Sequence, residues 1–334
     1  MVGDSGSKAV LEWQGYKLIG SSFGAKGCHW LKTSLLHGKE CYKAKFYGIQ
    51  SHRCLQMTPT VNVCNCQCLF CWRFHGMKDY PNAEKDDPKV LLDKLIEAQK
   101  EIVSGFGGDE RCDRGMWNEA RDPKHMAISL SGEPTMYPYL SDLIGEARRR
   151  GMTTFLVTNG TNPKALENLD VLPTQLYVTL SAPNQGIFEK LCLPRSPRLW
   201  ERLNETLELF DSLDTRKVVR HTLVKGWNLG WESEYAKLIM KANPNFIETK
   251  SYMFVGDSRN RMTIENMPGI EDIRTFADRI SSETSYKIMD EHTDSRVVLL
   301  SNETCSRKIN GCQGHFSRIV SRFIGARVSM PNFL

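Results

Sequence analysis

No stretch of the 334-residue chain is long and apolar enough to span a bilayer, and the first twenty residues lack the apolar run of a secretory signal. Those absences argue against a membrane or exported protein and for a cytoplasmic one. In a reducing compartment, clustered cysteines suggest metal or catalysis rather than disulfides. No low-complexity tract or internal repeat stands out, and neither a Walker loop nor a dinucleotide fingerprint occurs. A surplus of one charge is also missing, since 44 Lys and Arg face 39 Asp and Glu for a net +5. With 40% apolar and 25% charged residues, the chain is an ordinary globular protein rather than a disordered or collagen-like one.

The small net charge is unevenly placed. Residues 1–54 carry eight Lys and Arg against three Asp and Glu, and residues 301–334 carry five against one, so the middle is acidic. Basic ends that met in space would form one positive face suited to a polyanion; solubilising surface charge is the plainer reading of the same counts.

Apolar, β-branched runs at Leu55–Val63, Met126–Leu130, Thr153–Val157, Gln175–Leu180, Lys217–Val224 and Phe246–Tyr252 predict six strands. Helical patterns fall between them. Asp87-Pro88 supplies an N-cap and a first-turn proline for a helix to about Ser104. Ser141–Arg150, Arg198–Leu213, Trp231–Ala242 and Ile270–Ser282 complete the set. Strand–helix alternation indicates right-handed crossovers and a parallel sheet. Ser131-Gly132-Glu133-Pro134, Thr158-Asn159-Gly160, Ser181-Ala182-Pro183-Asn184 and Lys225-Gly226 each lie just past a strand. Active sites of parallel α/β folds gather at those strand ends.

Cysteine is what the chain has in plenty: 11 residues, seven of them between positions 28 and 71. The densest group is Cys64-Asn-Cys66-Gln-Cys68-Leu-Phe-Cys71-Trp-Arg. Read as Cys64, Cys68 and Cys71, it is C-x3-C-x2-C. Three thiolates on a short loop can hold three irons of a four-iron cluster and leave the fourth open. An open iron can chelate the amino and carboxylate groups of S-adenosylmethionine and reduce its sulfonium. A zinc site and a ferredoxin-style cluster compete with this reading. The crowding does not match paired zinc knuckles, and no cysteine lies in the usual fourth-ligand place beyond Cys71. Cys66 has no role in it.

This loop resembles the signature of the radical S-adenosylmethionine superfamily. Ser131-Gly132-Glu133-Pro134 resembles that superfamily's Gly-Gly-Glu motif, with Ser131 in place of the first glycine. The resemblance implies that Phe70, Ser131, Gly132, Glu133, Asn159 and Ser181 contact S-adenosylmethionine. Cys28, Cys41 and Cys54 stand with twelve residues between each pair, a weak signal by spacing alone. The segments Cys41–Pro59, Phe70–Arg73, Ser131–Thr135, Ser181–Asn184, Arg220–Asn228 and Tyr252–Arg261, taken together, closely resemble the radical 4-demethylwyosine synthases that modify phenylalanine tRNA.

That resemblance implies a partial, incomplete TIM-like barrel of the radical SAM type, with parallel strands and outer helices. Residues 1–54 would be an N-terminal extension bearing the second triad, 55–300 the core, and 301–334 a basic segment packed on it. It also implies two [4Fe-4S] clusters, one on Cys64, Cys68 and Cys71 and one on Cys28, Cys41 and Cys54. Pyruvate would supply two carbons to N1-methylguanosine beside the anticodon of tRNA-Phe. A 5′-deoxyadenosyl radical would open the reaction at the N-methyl group. Lys43 matches the lysine that takes the keto carbon as a Schiff base, and Lys45 is its neighbouring competitor.

For the tRNA, the basic N-terminal segment and Arg307, Lys308, Arg318, Arg322 and Arg327 are candidates for phosphate contacts, and Trp72 and Tyr252 for base stacking. Arg148-Arg149-Arg150 ends a helix where cations favour the macrodipole. With the cysteine region beginning at Cys28, a form without a preceding flavodoxin domain, a separate flavodoxin- or ferredoxin-type donor and a monomeric, cytoplasmic enzyme are expected. A radical enzyme acting on another substrate and a zinc-stabilised RNA-binding protein are the competing readings.

Overall fold

The computed structural model describes residues 4–20, 22–61, 63–75 and 87–309. Of the basic C-terminal segment, Arg318, Arg322 and Arg327 lie outside the described residues, as does Cys312.

Ten strands form one sheet: β1 (Lys17–Ile19), β2 (Phe23–Ala25), β3 (Cys54–Thr58), β4 (His125–Ile128), β5 (Thr153–Thr158), β6 (Gln175–Thr179), β7 (Arg216–Leu223), β8 (Phe246–Ser251), β9 (Lys287–His292) and β10 (Val297–Ser301). Their spatial order is β1-β2-β3-β4-β5-β6-β7-β8-β10-β9. The six strands from β3 to β8 run parallel in chain order. Antiparallel strands flank them, β1 and β2 on one side and β10 and β9 on the other. The sheet is open, a partial barrel whose two ends are separate edges.

The six parallel strands are those the apolar runs predict. The largest difference is at β3, which stops at Thr58, not Val63. There the Thr58 hydroxyl accepts the Thr60 backbone N–H at 3.1 Å, and Val61 N–H turns to the Ser22 carbonyl at 2.7 Å. Such a hydroxyl turn draws the backbone off the ladder.

Alternation along the strands builds two cores. One face, with Leu55, Met126, Leu156, Leu176, Val219 and Ile247, packs on the outer helices. Among those helices, Pro88–Ser104 begins as predicted, with Asp87 capping Lys89 N–H at 2.9 Å. The other face, with Ala127, Phe155, Tyr177, Val218 and Phe246, closes around Tyr42, Phe46 and Tyr47 of a short helix, Tyr42–Tyr47. Phe46 and Tyr47 are fully buried. Each such ring contributes about 1.5–3 kcal/mol by leaving water. This helix plugs the barrel interior and thereby fixes the direction of Lys43.

Candidate functional site

The ends of β3, β4, β5 and β6 surround one cavity of about 470 Å³, into which both cysteine triads open. Its upper wall is locked by backbone. Gly132 has φ +80°, and a Cβ there would stand 1.7 Å from the Thr60 carbonyl oxygen, so no larger residue fits. Glu133 N–H donates to the Val63 carbonyl at 2.7 Å, and the Thr58 hydroxyl donates to the Ser131 carbonyl. The Glu133 carboxylate is buried. One oxygen accepts the hydroxyls of Thr135 and Thr158, each at 2.6 Å, and the other accepts Asn159 N–H at 2.8 Å. Burial raises its pKa and these bonds draw it back only in part. The Glu133 side chain is thus part of the scaffold, and Ser131 and Gly132 present their backbone to the cavity.

The loop holding Cys64, Cys68 and Cys71 is zipped along one side. Gln67 N–H donates to the Cys192 carbonyl at 3.1 Å, Leu69 N–H to Leu191 at 2.9 Å, and Arg195 N–H returns a bond to Asn65 at 2.9 Å. Cys66 is 1% exposed and turns beneath the loop. It and the buried Cys192 both hydrogen-bond the Cys68 sulfur, and these two contacts, Cys192 first, hold the Cys68 thiol well below its ordinary pKa. Burial pushes the Cys64 thiol up to about 11.

Two arginines hold the other side. The buried Arg73 guanidinium donates to the Cys66 carbonyl at 3.0 Å and lies against Cys64, Cys68 and Cys71. Arg261 donates to the carbonyls of Leu69 (3.2 Å) and Cys71 and is paired with Asp257. Gly256, at φ +60°, allows this approach: a Cβ there would meet the Trp72 carbonyl oxygen at 2.4 Å. The segment Tyr252–Arg261 is therefore a clamp on the cysteine loop. Asn228 has a similar duty, donating to the carbonyls of Ser181 and Thr222, both at 2.8 Å. That ties the ends of β6 and β7 together. None of Arg73, Arg261, Asn228 or Cys192 is singled out by the sequence reasoning, although all but Cys192 lie in segments that carry the resemblance.

At the opposite end of the cavity are Cys28, Cys41 and Cys54. Cys28 caps the helix His29–His37, its sulfur accepting Leu31 N–H at 3.3 Å. Cys41 opens the helix Tyr42–Tyr47 and takes a hydrogen bond from the Ser51 hydroxyl at 3.3 Å. Cys54 begins β3. Burial raises the Cys28 and Cys54 thiols, Cys28 to about 11. Lys43 extends into the same space, with Nζ 4.8 Å from the Phe155 ring centroid and 4.5 Å from that of Tyr177. Burial lowers its pKa, against the pull of Glu248 and of Cys54. Lys45 points away and pairs with Asp290 at 2.9 Å. Arg220 and Lys250 line the same end.

The remaining expected residues are placed as follows. Phe70, Asn159 and Ser181 line the cavity, and the buried Ser181 hydroxyl has no partner among the described residues. Trp72 lines it too and stacks on Tyr16, with centroids 6.2 Å apart. Tyr252 is 2% exposed and its hydroxyl is bonded to Ser258 at 2.9 Å. Arg149 and Arg150 pair with Glu146, and Arg150 also with Asp93. The two basic ends do meet at one place, where Lys308 Nζ donates to the Lys45 carbonyl at 2.8 Å. Arg307, like Lys45, is paired there with Asp290.

The donor set fits iron–sulfur chemistry. Within each trio the thiols are electrostatic neighbours of one another, with the Glu133 carboxylate also acting on Cys64 and the His75 imidazole on Cys68. Among the described residues, no three His, Cys, Asp or Glu meet around one metal-ion position. The glycine cradle at Gly132 and the orphaned Ser181 hydroxyl fit a polar ligand beside the first trio.

The radical SAM superfamily model matches residues 58–239, and a model described as wyosine base formation matches residues 241–302. An S-adenosyl-L-methionine-dependent tRNA 4-demethylwyosine synthase from Pyrococcus abyssi is 49% identical over 311 residues, spanning 91% of this chain and 90% of its own length. The protein of that name from Methanocaldococcus jannaschii is 38% identical, spanning 90% and 96%. A solved structure of TYW1 with a lysine-pyruvate adduct bound superposes with a TM-score of 0.83 at 38% identity, spanning 92% of this chain and 98% of that one.

Proposed function

This chain belongs to the S-adenosyl-L-methionine-dependent tRNA 4-demethylwyosine synthases of the radical SAM superfamily, and from that membership we infer how its cavity works. The enzyme forms the 4-demethylwyosine base in tRNA, with a [4Fe-4S] cluster and S-adenosylmethionine as its cofactors. Cys64, Cys68 and Cys71 hold that cluster. When bound, cluster and S-adenosylmethionine together supply a 5′-deoxyadenosyl radical. The backbone at Ser131 and Gly132, with Phe70, Asn159 and Ser181, orients S-adenosylmethionine, while Glu133 keeps the strand ends in register. Cys28, Cys41 and Cys54 hold a second [4Fe-4S] cluster.

Lys43 condenses with the keto carbon of pyruvate. The amine nitrogen bonds to that carbon, its oxygen leaves as water, and an imine holds the two-carbon donor in place. Enclosure between Phe155 and Tyr177 keeps bulk water from reversing the step. The acceptor is N1-methylguanosine in the anticodon arm of tRNA-Phe, flipped out to reach the cavity. Electrons come from a separate flavodoxin- or ferredoxin-type protein, the working enzyme is a monomer, and the setting is the cytoplasm. Among the described residues, no helix is long and apolar enough to cross a membrane.

The observation that carries this reading is the single cavity shared by both triads, Lys43 and the Ser131–Glu133 turn. Anaerobic incubation with tRNA bearing N1-methylguanosine, S-adenosylmethionine, reductant and labelled pyruvate tests it. Label in the tRNA is the expected result. Deoxyadenosine without label in the tRNA would remove pyruvate from the assignment, and a colourless protein loaded with zinc would remove the iron clusters.

A further inference from the structure

We propose that Arg73 is the fixed counter-charge of the cluster held by Cys64, Cys68 and Cys71, a positioning residue that favours the cluster's one-electron-reduced form. The proposal rests on the reading of those three cysteines as iron ligands.

Arg73 follows the last of these cysteines closely in the chain and is only 6% exposed. A guanidinium is rarely taken so far from water without a partner. One of its nitrogens, Nη2, donates to the Cys66 carbonyl at 3.0 Å. The other two, Nε and Nη1, are buried with no hydrogen-bond partner among the described residues. Among those residues no carboxylate forms a salt bridge with Arg73. Glu133, the acid nearest the loop, is engaged by the Thr135 and Thr158 hydroxyls and by Asn159 N–H.

Sulfur surrounds the guanidinium instead. Burial opposes its charge, yet Cys71, Cys64 and Cys68 outweigh burial and raise its pKa. The other cation on this loop differs in kind. Arg261 is paired with Asp257, and its remaining donors hold the Leu69 and Cys71 carbonyls. Arg73 is therefore a sequestered cation with two idle donors beside three thiols, and both features mark a missing partner. A clamp on the Cys66 carbonyl would need one N–H and no charge, so that role does not account for them.

A four-iron cluster answers both features. Three thiolates outweigh the positive charge of its iron core, and several sulfurs on one side accept hydrogen bonds. An added electron makes the site more negative still, in a pocket with little water to respond. A cation already in place stabilises that charge without reorganising, and does so more strongly than it would in water. Cluster potentials follow net charge and hydrogen bonds to sulfur. Arg73 thus raises the potential of this cluster and makes it easier for an electron-donor protein to reduce.

A dye-mediated redox titration of the anaerobically reconstituted holoenzyme, read by electron paramagnetic resonance, tests the proposal. S-adenosylmethionine perturbs the signal of the cluster that binds it and so separates that cluster from any other. At the potential where this cluster is half reduced in wild type, Arg73→Met and Arg73→Gln should lower the reduced-to-oxidised ratio at least about tenfold. For one electron this is a midpoint lowered by about 59 mV. Glutamine still offers a donor to the Cys66 carbonyl, so its behaviour separates charge from clamping. Arg73→Lys keeps the charge and should change the ratio by less than about threefold. Iron and sulfide are assayed in every variant.

Unchanged midpoints in Arg73→Met and Arg73→Gln would overturn the counter-charge. So would an Arg73→Lys midpoint as low as that of Arg73→Gln, because the shape of the fork would then matter and not its charge. If neither neutral variant holds iron, Arg73→Lys decides. Full iron loading there supports the counter-charge, and iron loss there as well would overturn it in favour of a role in shaping the loop. A wild-type protein that binds no iron would remove the ligand reading itself, so the two fail separately.

Discussion

The Glu133 carboxylate accepts the backbone N–H of Asn159 at 2.8 Å and so joins the end of β4 to the end of β5. Its other oxygen gathers the Thr135 and Thr158 hydroxyls, leaving this acidic side chain inside the scaffold. Glu133→Gln would replace an acceptor oxygen by an NH2 group, which cannot receive both sets of donors. A loss of about 1–3 kcal/mol in unfolding free energy is expected, with weaker S-adenosylmethionine binding by equilibrium dialysis. Full retention of both would mean that the carboxylate is not what holds the strand ends.

Gly132→Ala is a harsher change at the adjoining position. Its Cβ would fall 1.7 Å from the Thr60 carbonyl oxygen, in a φ +80° conformation that alanine resists. The Thr60–Val63 turn must move, and it leads directly into the cysteine loop. S-adenosylmethionine binding should disappear and iron loading fall, with stability reduced by about 3 kcal/mol or more. An alanine variant with normal iron and normal cofactor affinity would show that the turn can yield.

The two triads make a paired prediction. Cys28→Ala should lose about half of an expected total of about eight irons, yet still cleave S-adenosylmethionine to deoxyadenosine. Cys64→Ala should lose a similar amount and cleave none. Iron and sulfide assays with product chromatography separate the cases. If Cys28→Ala still made the tricyclic base, its trio would have no part in the chemistry.

Much of this site is legible in the sequence, and the limits have physical causes. The six parallel strands announce themselves as apolar, β-branched runs, four of them closed by turns rich in Gly, Asn, Ser or Pro. The edge strands do not. β1 and β2 are three residues each, and β9, Lys-Ile-Met-Asp-Glu-His, carries no clean alternation because it is half exposed at an edge. Local spacing groups Cys64, Cys68 and Cys71, while Cys28, Cys41 and Cys54 reach the same cavity only through a helix cap, a plug helix and a strand start. Spacing along the chain also leaves Lys43 and Lys45 equivalent. Only the packing of Tyr42, Phe46 and Tyr47 turns one inward and the other toward Asp290. Arg261 contacts a loop some 190 positions earlier, a relationship that one sequence does not encode visibly.

That Arg261 contact has its own test. Its guanidinium holds the Leu69 and Cys71 carbonyls on either side of Phe70, and Asp257 fixes its orientation. Arg261→Ala should leave the strands intact and loosen the loop. The expected result is faster iron loss to a chelator and a broadened electron paramagnetic resonance signal of the reduced cluster, with the circular dichroism spectrum unchanged. Arg261→Lys should recover little, since one ammonium cannot replace a fork spanning both carbonyls. Chelation kinetics equal to wild type would assign the clamp to the Gly256 turn alone.

His221 supplies a stability prediction away from the metal ligands. It is fully buried on β7 with neither ring nitrogen bonded among the described residues, its ring edge-to-face with Tyr235 at 4.7 Å and Phe276 at 5.5 Å. Burial alone lowers its pKa to about 3, and no charged group contributes. The imidazole is therefore neutral in the native protein, while in the unfolded chain it titrates near the ordinary value of about 6.5. Below that pH the unfolded state gains a proton that the native state refuses. Stability consequently falls as pH drops from about 6.5 toward 3, by about 1.4 kcal/mol per unit for this group. His221→Phe keeps the aromatic packing and removes the titration. Relative to wild type, it should gain about 2 kcal/mol between pH 6.5 and pH 5 in denaturant unfolding, with most of the difference absent above pH 7. Parallel pH dependences for the two proteins would mean that the wild-type ring finds a way to protonate in place.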